Sequence, residues 1–447
     1  MHRFYILLLI GLHFTSSAVA AEDTSLPKRP NIIMIVIDDL GYGDLGCYGS
    51  QIHQTPHIDR LASGGMLFTD FHANAPVCSP TRAAIMTGQY QQRSGIEYAI
   101  PFTHELGMPL EKFTISEALK QAGYTCGLMG KWHLGHVSRF GPNDQGFDES
   151  WCSNNTPDYH THVSRIGELD WYHNHQIDRE PGYLTDLVSQ HSCDFIRDNV
   201  DRPFFLVISH LALHFPFQGP NDPPLRTEGK IWHDQKHGPL NKREYRRAYR
   251  DMLVAVDKSV GKVMDTLNSS GLQNDTIIFL LSDNGAYSWV GSNGSLRGQK
   301  GDLFEGGHRV PAVAYWPGQI PAASKNHQTI MTMDLMPTIL SLAGLPLPTG
   351  LELDGLDLKS TLLRNAPLPD RTLFWRFNNL YTKTNASAVR EGKWKLIEQG
   401  TEVSLYDLES DLSESQNLAS QHPDVAKALQ AKFFQWNRPF RDLPASQ

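Results

Sequence analysis

The sequence predicts an α/β protein in which helices cover both faces of a large, mainly parallel sheet, followed by a small C-terminal antiparallel sheet with a helix. Continuous apolar runs recur at 31–37, 204–208, 276–281 and 310–316, and such runs are typical of parallel strands buried on both faces. Helical segments lie between them, and this alternation indicates a parallel sheet. The composition changes after Gly344, where prolines precede short strand-like pieces.

Helices are indicated by their caps and by their periodicity. Residues 114–117 form a capping box, and Gly123 stands where that helix should stop. Ser79 suits the N-cap of another helix, with Pro80 at its first helical position. The longest predicted helix ends before Gly271 and carries an apolar stripe at three- and four-residue spacing: Tyr245, Tyr249, Met252, Val256, Val260, Val263 and Leu267.

The chain has 447 residues, which is too long for one average domain. We expect a large domain at 29–365 and a small C-terminal α+β subdomain at 366–447. The predicted elements of the small subdomain are strands at 388–390, 394–397 and 403–406 and a final helix at 425–436.

The composition is that of a globular protein, with 40% hydrophobic and 20% charged residues. The net charge of −8 disfavours a generally basic nucleic-acid-binding protein, so we expect no nucleic-acid partner. Residues 1–20 have a polar start, a short apolar core and the small-residue pattern Ala18-Val19-Ala20, which together indicate a cleaved signal peptide. We therefore expect a secreted, periplasmic or lysosome-like exported protein without a membrane span.

Acidic and amide side chains follow two of the predicted strands. Asp38 and Asp39 come after the first apolar run, and Asp283 and Asn284 come after the third. The carboxyl ends of parallel strands lie at one edge of a sheet, so these groups can converge there. Asp38 and Asp39 alone would favour a turn or a helix cap, but the second acidic cluster favours an all-oxygen site for Ca²⁺ or Mg²⁺.

Basic groups and a cysteine follow other elements. The run 204–208 leads to His210 and His214, and the apolar piece 126–129 leads to Lys131 and His133, which suggests an anionic substrate. Cys78 would lie at a helix N-terminus, where the dipole attracts anions and lowers the pKa of a thiol. A buried structural cysteine is an equally good interpretation of Cys78 from local chemistry alone.

Several spaced motifs, in order along the chain, resemble those of the sulfatase family. Cys78-Ser79-Pro80-Thr81-Arg82 resembles the family's Cys-x-Pro-x-Arg signature, and Gly130-Lys131-Trp132-His133 resembles part of the second signature. The segments at 282–285, 298–301 and 305–307 resemble further family blocks. The resemblance implies a formylglycine-dependent sulfatase similar to arylsulfatases and N-acetylgalactosamine sulfatases, with the fold of the alkaline-phosphatase superfamily and the catalytic domain at 29–365.

The resemblance also implies how the reaction would proceed. A formylglycine-generating enzyme would oxidise Cys78 to formylglycine (3-oxoalanine), whose hydrated gem-diol attacks sulfur to form a sulfo-enzyme intermediate. One Ca²⁺ ion would be held by Asp38, Asp39, Asp283, Asn284 and an oxygen of residue 78. The remaining implied roles are orientation of the diol by Arg82, binding of sulfate by Lys131 and Lys300, proton removal by His133 or Asp283, and proton donation by His214.

The expected substrate is a sulfated carbohydrate, because residues 151–175 are rich in groups that stack on sugars and hydrogen-bond to them. His136 is a further candidate substrate contact. The segment 226–250 has eight basic and three acidic residues, which would form either a rim attracting sulfated glycans or a solvated helix start. The blocks around 130–136 and 214–220 resemble those of sulfatases that act on galactose or N-acetylgalactosamine units, which implies a sulfate ester of one of these sugars.

Two alternative functions stay open from the sequence. One is a phosphonate monoester or phosphodiester hydrolase of the same superfamily, which can share the formylglycine site. The other is a catalytically dead protein that binds sulfated glycans. The complete set of expected catalytic residues argues against the second alternative: Cys78, Arg82, Lys131, His133, His214, Asp283 and Lys300.

Overall fold

A ten-stranded sheet forms the centre of the computed structural model, which describes residues 29–101, 106–135, 137–233, 241–379 and 384–440. The strands in this part of the chain are β1 (Asn31–Ile37), β2 (Met66–Phe68), β3 (Phe71–His72), β4 (Thr125–Lys131), β5 (Glu149–Ser153), β6 (Tyr172–His173), β7 (Gln176–Ile177), β8 (Phe204–His210), β9 (Thr276–Ser282), β10 (Ala312–Tyr315), β11 (Ser324–Asn326), β12 (Ile330–Met331), β13 (Thr372–Asn379), β14 (Thr384–Glu391), β15 (Trp394–Gln399) and β16 (Glu402–Asp407). The large sheet has the order β11-β2-β10-β9-β1-β8-β4-β5-β6-β7, whereas β3 pairs with β12 and β13 to β16 form a separate sheet.

Helices cover both faces of the large sheet. The helices of the described residues are α1 (Pro56–Ser63), α2 (Cys78–Thr87), α3 (Ile115–Gln121), α4 (Val137–Phe140), α5 (Leu184–Asp198), α6 (Lys242–Ser269), α7 (Glu305–His308), α8 (Leu335–Leu342), α9 (Lys359–Arg364) and α10 (Pro423–Asn437), of which α10 packs on the C-terminal sheet instead. Alternate residues of β1 enter two cores, with α2, α3, α8 and α9 contributing to one and α1, α5 and α6 to the other. This arrangement confirms the predicted α/β fold.

Strand direction follows the prediction with one exception. β1 pairs in parallel with both β8 and β9, and β4 pairs in parallel with β8 and β5. The apolar run at 310–316, taken from its pattern as another parallel strand, forms β10, which is antiparallel to β9 and β2. β10 also contributes to both cores, and burial on both faces produces the same apolar run in either strand direction.

The helix ends are only partly as predicted. The capping box is present at α3, where Thr114 Oγ1 accepts from the Glu117 N–H at 3.2 Å and Glu117 Oε2 accepts from the Thr114 N–H at 2.7 Å. The predicted stripe lies within α6, whose N-cap Asn241 accepts from Glu244. No helix among the described residues is both long and apolar enough to cross a membrane.

Helix α2 begins two residues earlier than the sequence predicts. It starts at Cys78, with Val77 at the N-cap, so Ser79 and Pro80 lie inside the first turn. Ser79 Oγ accepts instead from the Ile100 N–H at 3.0 Å, and the Thr81 hydroxyl donates to the Ala75 carbonyl oxygen at 3.0 Å. Ser79, which the sequence predicts as the N-cap, therefore makes a hydrogen bond to a distant part of the chain instead.

The C-terminal sheet is antiparallel throughout and packs against α10 and the main body. The three predicted strand pieces lie in β14, β15 and β16, and β13 is an additional strand. Trp375 of β13 is fully buried, and its indole N–H donates to the Ala73 carbonyl oxygen at 2.9 Å. The expected signal peptide, residues 1–20, lies outside the described residues.

Candidate active site

The register of the central strands brings the two acidic clusters together. Ile37 of β1 lies beside Ser282 of β9, so the residues that follow each strand are neighbours. The backbone N–H of Asp39 donates to Asp283 Oδ1 at 3.3 Å, and the Asn284 amide donates to Asp39 Oδ1 at 2.7 Å. The sheet order alone therefore explains why acids distant in sequence meet.

The acidic groups are buried and incompletely satisfied. Asp38, Asp39 and Asp283 are at most 2% exposed. Asp38 Oδ1, Asp39 Oδ2 and Asn284 Oδ1 have no hydrogen-bond partner among the described residues. The Cys78 sulfur and one carboxylate oxygen each of Asp38 and Asp283 lie within 4.8 Å of one another. This buried oxygen donor set, with unused lone pairs, fits one hard divalent cation such as Ca²⁺.

Each of the three carboxylates faces a cation. Lys131 contacts Asp38, Lys300 Nζ lies 2.6 Å from Asp39 Oδ1, and Arg82 Nη2 lies 2.8 Å from Asp283 Oδ2. Burial would raise the pKa of Asp38, but Lys131, His214, Lys300 and Arg82 together hold that pKa well below its usual range. Asp38 therefore stays ionised inside the protein.

Arg82 is held in place by more than its ion pair. Its Nη1 donates to Ser209 Oγ at 2.6 Å and to the Lys131 carbonyl oxygen at 3.1 Å. Sequence reasoning singled out His210 and missed Ser209. Side chains alternate along β8, so Ser209 faces Arg82, whereas His210 is buried without lining the active-site cavity. The sequence could have indicated Ser209 through its position next to His210 in β8, which places the two side chains on opposite faces of the strand.

Cys78 is the first residue of α2 and is 1% exposed, yet it lies in the wall of the cavity. The expectation that the helix N-terminus lowers its pKa is wrong here. Burial raises the pKa of the Cys78 thiol, and the opposing effect of Lys131 and Lys300 is smaller.

The two predicted histidines present opposite ring nitrogens to the site. His133 Nε2 donates to the Ile100 carbonyl oxygen at 3.0 Å, and its Nδ1 is buried without a partner among the described residues. His214 Nδ1 donates to the Phe215 carbonyl oxygen at 2.7 Å, and its Nε2 lies 3.9 Å from Asp39 Oδ2. Burial, reinforced by Lys300, lowers the pKa of His214 to about 4.

Two site residues have strained backbones. Asp39 and His133 have φ values of 59° and 56°, in the left-handed region that non-glycine residues seldom adopt. Gly130, just before the Lys131–His133 turn, could not carry a side chain, because a Cβ would lie 1.9 Å from the Ser209 carbonyl oxygen. Strain of this kind persists only where surrounding contacts enforce it, and it clusters at functional sites.

A cavity of about 480 Å³ opens above Cys78. His133, His214 and Lys300 lie in its wall, together with Phe377 and Asn378 of β13, which sequence reasoning did not associate with the site. Nothing in the local sequence of β13 indicates this placement, since it depends on how the C-terminal sheet packs.

The segment expected to bind sugars has a more limited role. Trp151 is stacked between His173 and His191, at ring separations of 4.1 and 3.8 Å, and Trp171 is fully buried. These rings pack against one another instead of forming a sugar platform. Four polar residues of the segment do line the cavity: Asn155, Thr156, Ser164 and Arg165.

The basic segment 226–250 fits both interpretations in part, a rim for sulfated glycans at one residue and a solvated helix start at another. Arg226 is buried and lines the cavity, whereas Arg247 of α6 pairs at the surface with Asp222 and Asp251. His136 lies outside the described residues.

Comparisons with known proteins agree with this arrangement. A family model described as Sulfatase matches residues 30–345, and one described as N-sulphoglucosamine sulphohydrolase, C-terminal, matches residues 299–438. The chain is 35% identical to N-acetylgalactosamine-6-sulfatase of Canis lupus familiaris, over 85% of this chain and 73% of the relative. It is 33% identical to arylsulfatase A of Homo sapiens, over 92% of this chain and 88% of the relative.

A solved structure is similar over nearly the whole chain. The crystal structure of Ps i-CgsB superimposes with a TM-score of 0.83 and 30% identity and covers 94% of both chains. The structure of Ps i-CgsB in complex with k-i-k-neocarrahexaose superimposes with a TM-score of 0.81 and 28% identity, also over 94% of both chains. The chain therefore belongs to the sulfatase family and is a sulfuric ester hydrolase.

Proposed function

We propose that this enzyme removes sulfate from a sulfated carbohydrate, with residue 78 carrying the nucleophile. The observation that carries the proposal is that Cys78, Lys300 and two imidazoles line one cavity, while Lys131 and Lys300 pair with two of three buried carboxylates. Relatives named N-acetylgalactosamine-6-sulfatase, and the Ps i-CgsB structure with a bound neocarrahexaose, support a carbohydrate substrate. We extend the proposal to sulfates of galactose or N-acetylgalactosamine.

Asp38, Asp39, Asp283 and Asn284 would hold one Ca²⁺ ion, with residue 78 as a further contact. The proposal is supported by their burial and by the partnerless oxygens of three of them. Formylglycine at position 78 would supply a nucleophilic hydroxyl, and bound Ca²⁺ would polarise the sulfate. Arg82 would orient Asp283 through their buried ion pair, and would place positive charge beside residue 78.

The two lysines would bind the sulfate oxygens. Lys131 is 1% and Lys300 is 9% exposed, so their charges act in a setting with little water. Positive groups fixed in advance where negative charge develops stabilise a transition state without reorganisation. We propose that Lys131 and Lys300 do this for the sulfuryl group.

The histidine hydrogen bonds suggest a division of proton transfers. His133 donates through Nε2, so its Nδ1 lone pair is available to remove a proton from residue 78. His214 is anchored through Nδ1, so its Nε2 is the atom that would exchange a proton with the leaving alcohol. A negative sulfate beside His214 would favour its charged form and oppose the effect of burial on its pKa. Asp283 is the alternative proton acceptor.

We further propose that residues 1–20 direct export, that a formylglycine-generating enzyme acts on Cys78 during maturation, and that residues 29–365 are the catalytic domain. These proposals depend on the signal-like sequence and on the Cys-x-Pro-x-Arg motif. Mass spectrometry of the mature N-terminus and of the peptide containing residue 78 tests the first two directly.

The test of the proposed nucleophile is Cys78→Ala, assayed for sulfate release from 6-sulfated and 4-sulfated galactose and N-acetylgalactosamine saccharides. We expect release to fall to background. Cys47→Ala is the matched control, because Cys47 is half-buried and does not line the cavity. Undiminished release by the Cys78 variant would overturn the nucleophile, and release from aryl sulfates alone would overturn the carbohydrate substrate.

A further inference from the structure

The cavity above Cys78 is larger than a sulfate group requires. Its volume of about 480 Å³ lies within the range of about 300–1,000 Å³ that is typical of pockets for whole small-molecule ligands. Cys78 and Lys300 line this cavity, and so do the polar residues Asn155, Thr156 and Ser164. A bound substrate can therefore place its sulfate at Cys78 and extend over polar groups that no catalytic role uses.

The charge of the cavity wall is entirely of one sign. Among the described residues that line the cavity, none is an aspartate or a glutamate. Besides the two site histidines, the ionisable basic groups are Lys300, Arg165 and Arg226. The two arginines have no role in the proposed chemistry. An anionic ligand would thus be attracted by more of the cavity than its catalytic end.

Arg226 is built into the wall. It is 3% exposed, its backbone N–H donates to Asp158 Oδ2 at 2.9 Å, and its Nη1 donates to the Thr156 carbonyl oxygen at 2.7 Å. Asp158 also accepts from the Leu225 N–H at 2.7 Å and from Gln218 at 3.1 Å, which fixes the surrounding loop. The guanidinium of Arg226 therefore contributes a fixed positive charge to the cavity wall.

Arg165 differs in being available to a ligand. Its backbone is held by a tight turn, in which Gly167 N–H donates to the Ser164 carbonyl oxygen at 3.0 Å, and Trp232 N–H donates to the Arg165 carbonyl oxygen at 2.7 Å. Its side chain is exposed and makes no hydrogen bond or ion pair within the described part of the chain. A guanidinium offers paired donors that match the oxygens of a sulfate or a carboxylate.

We propose that Arg165, in the same cavity wall as the fixed charge of Arg226, binds a second anionic group of the substrate, a sulfate ester or a carboxylate on the sugar next to the one that loses sulfate. This subsite rests on the proposed function and extends it, because it selects saccharides with at least two anionic groups. A small aryl sulfate such as 4-nitrophenyl sulfate carries no second anionic group for Arg165 to bind.

The test compares Arg165→Ala with the unchanged enzyme on matched substrates. The substrates are a disaccharide with one scissile sulfate, the same disaccharide with a second sulfate, the same disaccharide with a uronate carboxylate, and 4-nitrophenyl sulfate. A charged hydrogen bond at a solvated site predicts a rise in KM of about 10-fold for the dianionic disaccharides. The effect on the monosulfated disaccharide and on 4-nitrophenyl sulfate should stay below about 2-fold, within ordinary surface-mutation effects.

Two further variants sharpen the result. Arg165→Lys should recover part of the lost affinity, since it keeps the charge and loses the paired geometry. Arg202→Ala is the matched control, because Arg202 is exposed, has no side-chain partner among the described residues and lies before β8, at the strand end opposite the site. Comparison of the second sulfate with the uronate shows which anion the subsite prefers.

Equal losses on all four substrates, or no loss on any, would overturn the subsite. Binding of the disulfated disaccharide to Cys78→Ala protein, measured by calorimetry with and without Arg165→Ala, separates this result from failure of the proposed function. If the affinity depends on Arg165 but the protein with Cys78 intact never releases sulfate from this disaccharide, the subsite stands and the proposed carbohydrate sulfatase is refuted. If the affinity does not depend on Arg165 and the protein with Cys78 intact releases sulfate normally, the proposed function stands and the subsite is refuted.

Discussion

Lys395 is a fully buried ammonium group that joins two carboxylates, and its removal should strongly destabilise the protein. Its Nζ lies 2.8 Å from Glu305 Oε1 and 2.8 Å from Glu414 Oε1, and all three side chains are inaccessible to solvent. Lys395→Met keeps most of the side-chain volume but removes the charge. Breaking a buried ion pair by removing one partner costs about 3–5 kcal/mol, because the other charge is left unpaired.

Glu414 is the carboxylate that Lys395→Met would leave without an ion-pair partner. Glu305 retains Arg309, which lies 3.1 Å from its Oε2, whereas Lys395 is the only ion-pair partner of Glu414 in the described part of the chain. Burial already raises the pKa of Glu414, and Lys395 opposes that rise. Without Lys395, we expect Glu414 to fold in its protonated form, which is the less costly state of an unpaired buried carboxyl group.

This protonation makes the destabilisation depend on pH. For a carboxyl group whose pKa is higher in the folded state than its unfolded value of 4.5, the favourable contribution to the free energy of unfolding is complete below pH 4.5. This contribution is lost as the pH rises through the folded pKa. The free energy of unfolding of Lys395→Met should therefore differ little from that of the unchanged protein near pH 4.5. At pH 8 it should be lower by about 3–5 kcal/mol, a large part of a typical stability of about 5–15 kcal/mol.

Urea unfolding followed by tryptophan fluorescence at pH 5 and pH 8 measures both effects. Lys393→Met is the matched control, because Lys393 precedes the same strand, pairs with Asp407 at 2.6 Å and is exposed, unlike Lys395. We expect the control to unfold at nearly the same urea concentration as the unchanged protein. A loss below about 1 kcal/mol at pH 8, or an equal loss at both pH values, would refute the reasoning.

Two further predictions concern the site itself. Lys300→Ala should lower kcat/KM for a sulfated saccharide by about 100- to 1,000-fold, the usual effect of removing one group that stabilises a developing anion, and exposed Lys325→Ala should not. Equal rates of sulfate release would contradict the role of Lys300. Ca²⁺ at about 100 times its dissociation constant should stabilise the protein by about 2.7 kcal/mol, and Asp38→Asn should abolish most of this gain. Thermal unfolding with Ca²⁺ and with a chelator measures it, and an unchanged calcium-dependent gain in Asp38→Asn would exclude Asp38 as a ligand.

The parts of the fold that local pattern determines could be predicted. The apolar runs identified β1, β8 and β9, and the spacing of apolar residues identified α6. The acids after β1 and β9 were expected to meet, because parallel strands present their carboxyl ends at one edge. These features depend on short-range periodicity and on one topological rule.

Other features depend on contacts between distant parts of the chain. The direction of β10 is not encoded by an apolar run, since both directions bury the same side chains. The start of α2 depends on a hydrogen bond from the Ile100 N–H to Ser79, and Phe377 reaches the cavity only through the packing of the C-terminal sheet. The stacking of Trp151 between two histidines likewise could not be read from a segment rich in aromatic residues.

The thiol of Cys78 shows a different limit. The helix N-terminus, which the sequence indicates, favours the ionised form, and so do the nearby lysines. The extent of burial is not visible, and burial is the larger effect on the pKa. Electrostatic expectations from sequence are therefore weakest where a charged group is fully enclosed.

The ion-pair cluster around Lys395 bears on how freely the two expected domains can be separated. Glu305 belongs to the segment 29–365, whereas Lys395 and Glu414 belong to 366–447. Arg390 of the same C-terminal sheet also pairs with Asp70 of the larger segment at 2.7 Å. A shortened protein ending near residue 365 would open a polar interior to water and lose the β13 residues that border the substrate cavity. Exchange of C-terminal regions between relatives should therefore succeed only when the charges on both sides of this boundary are exchanged together.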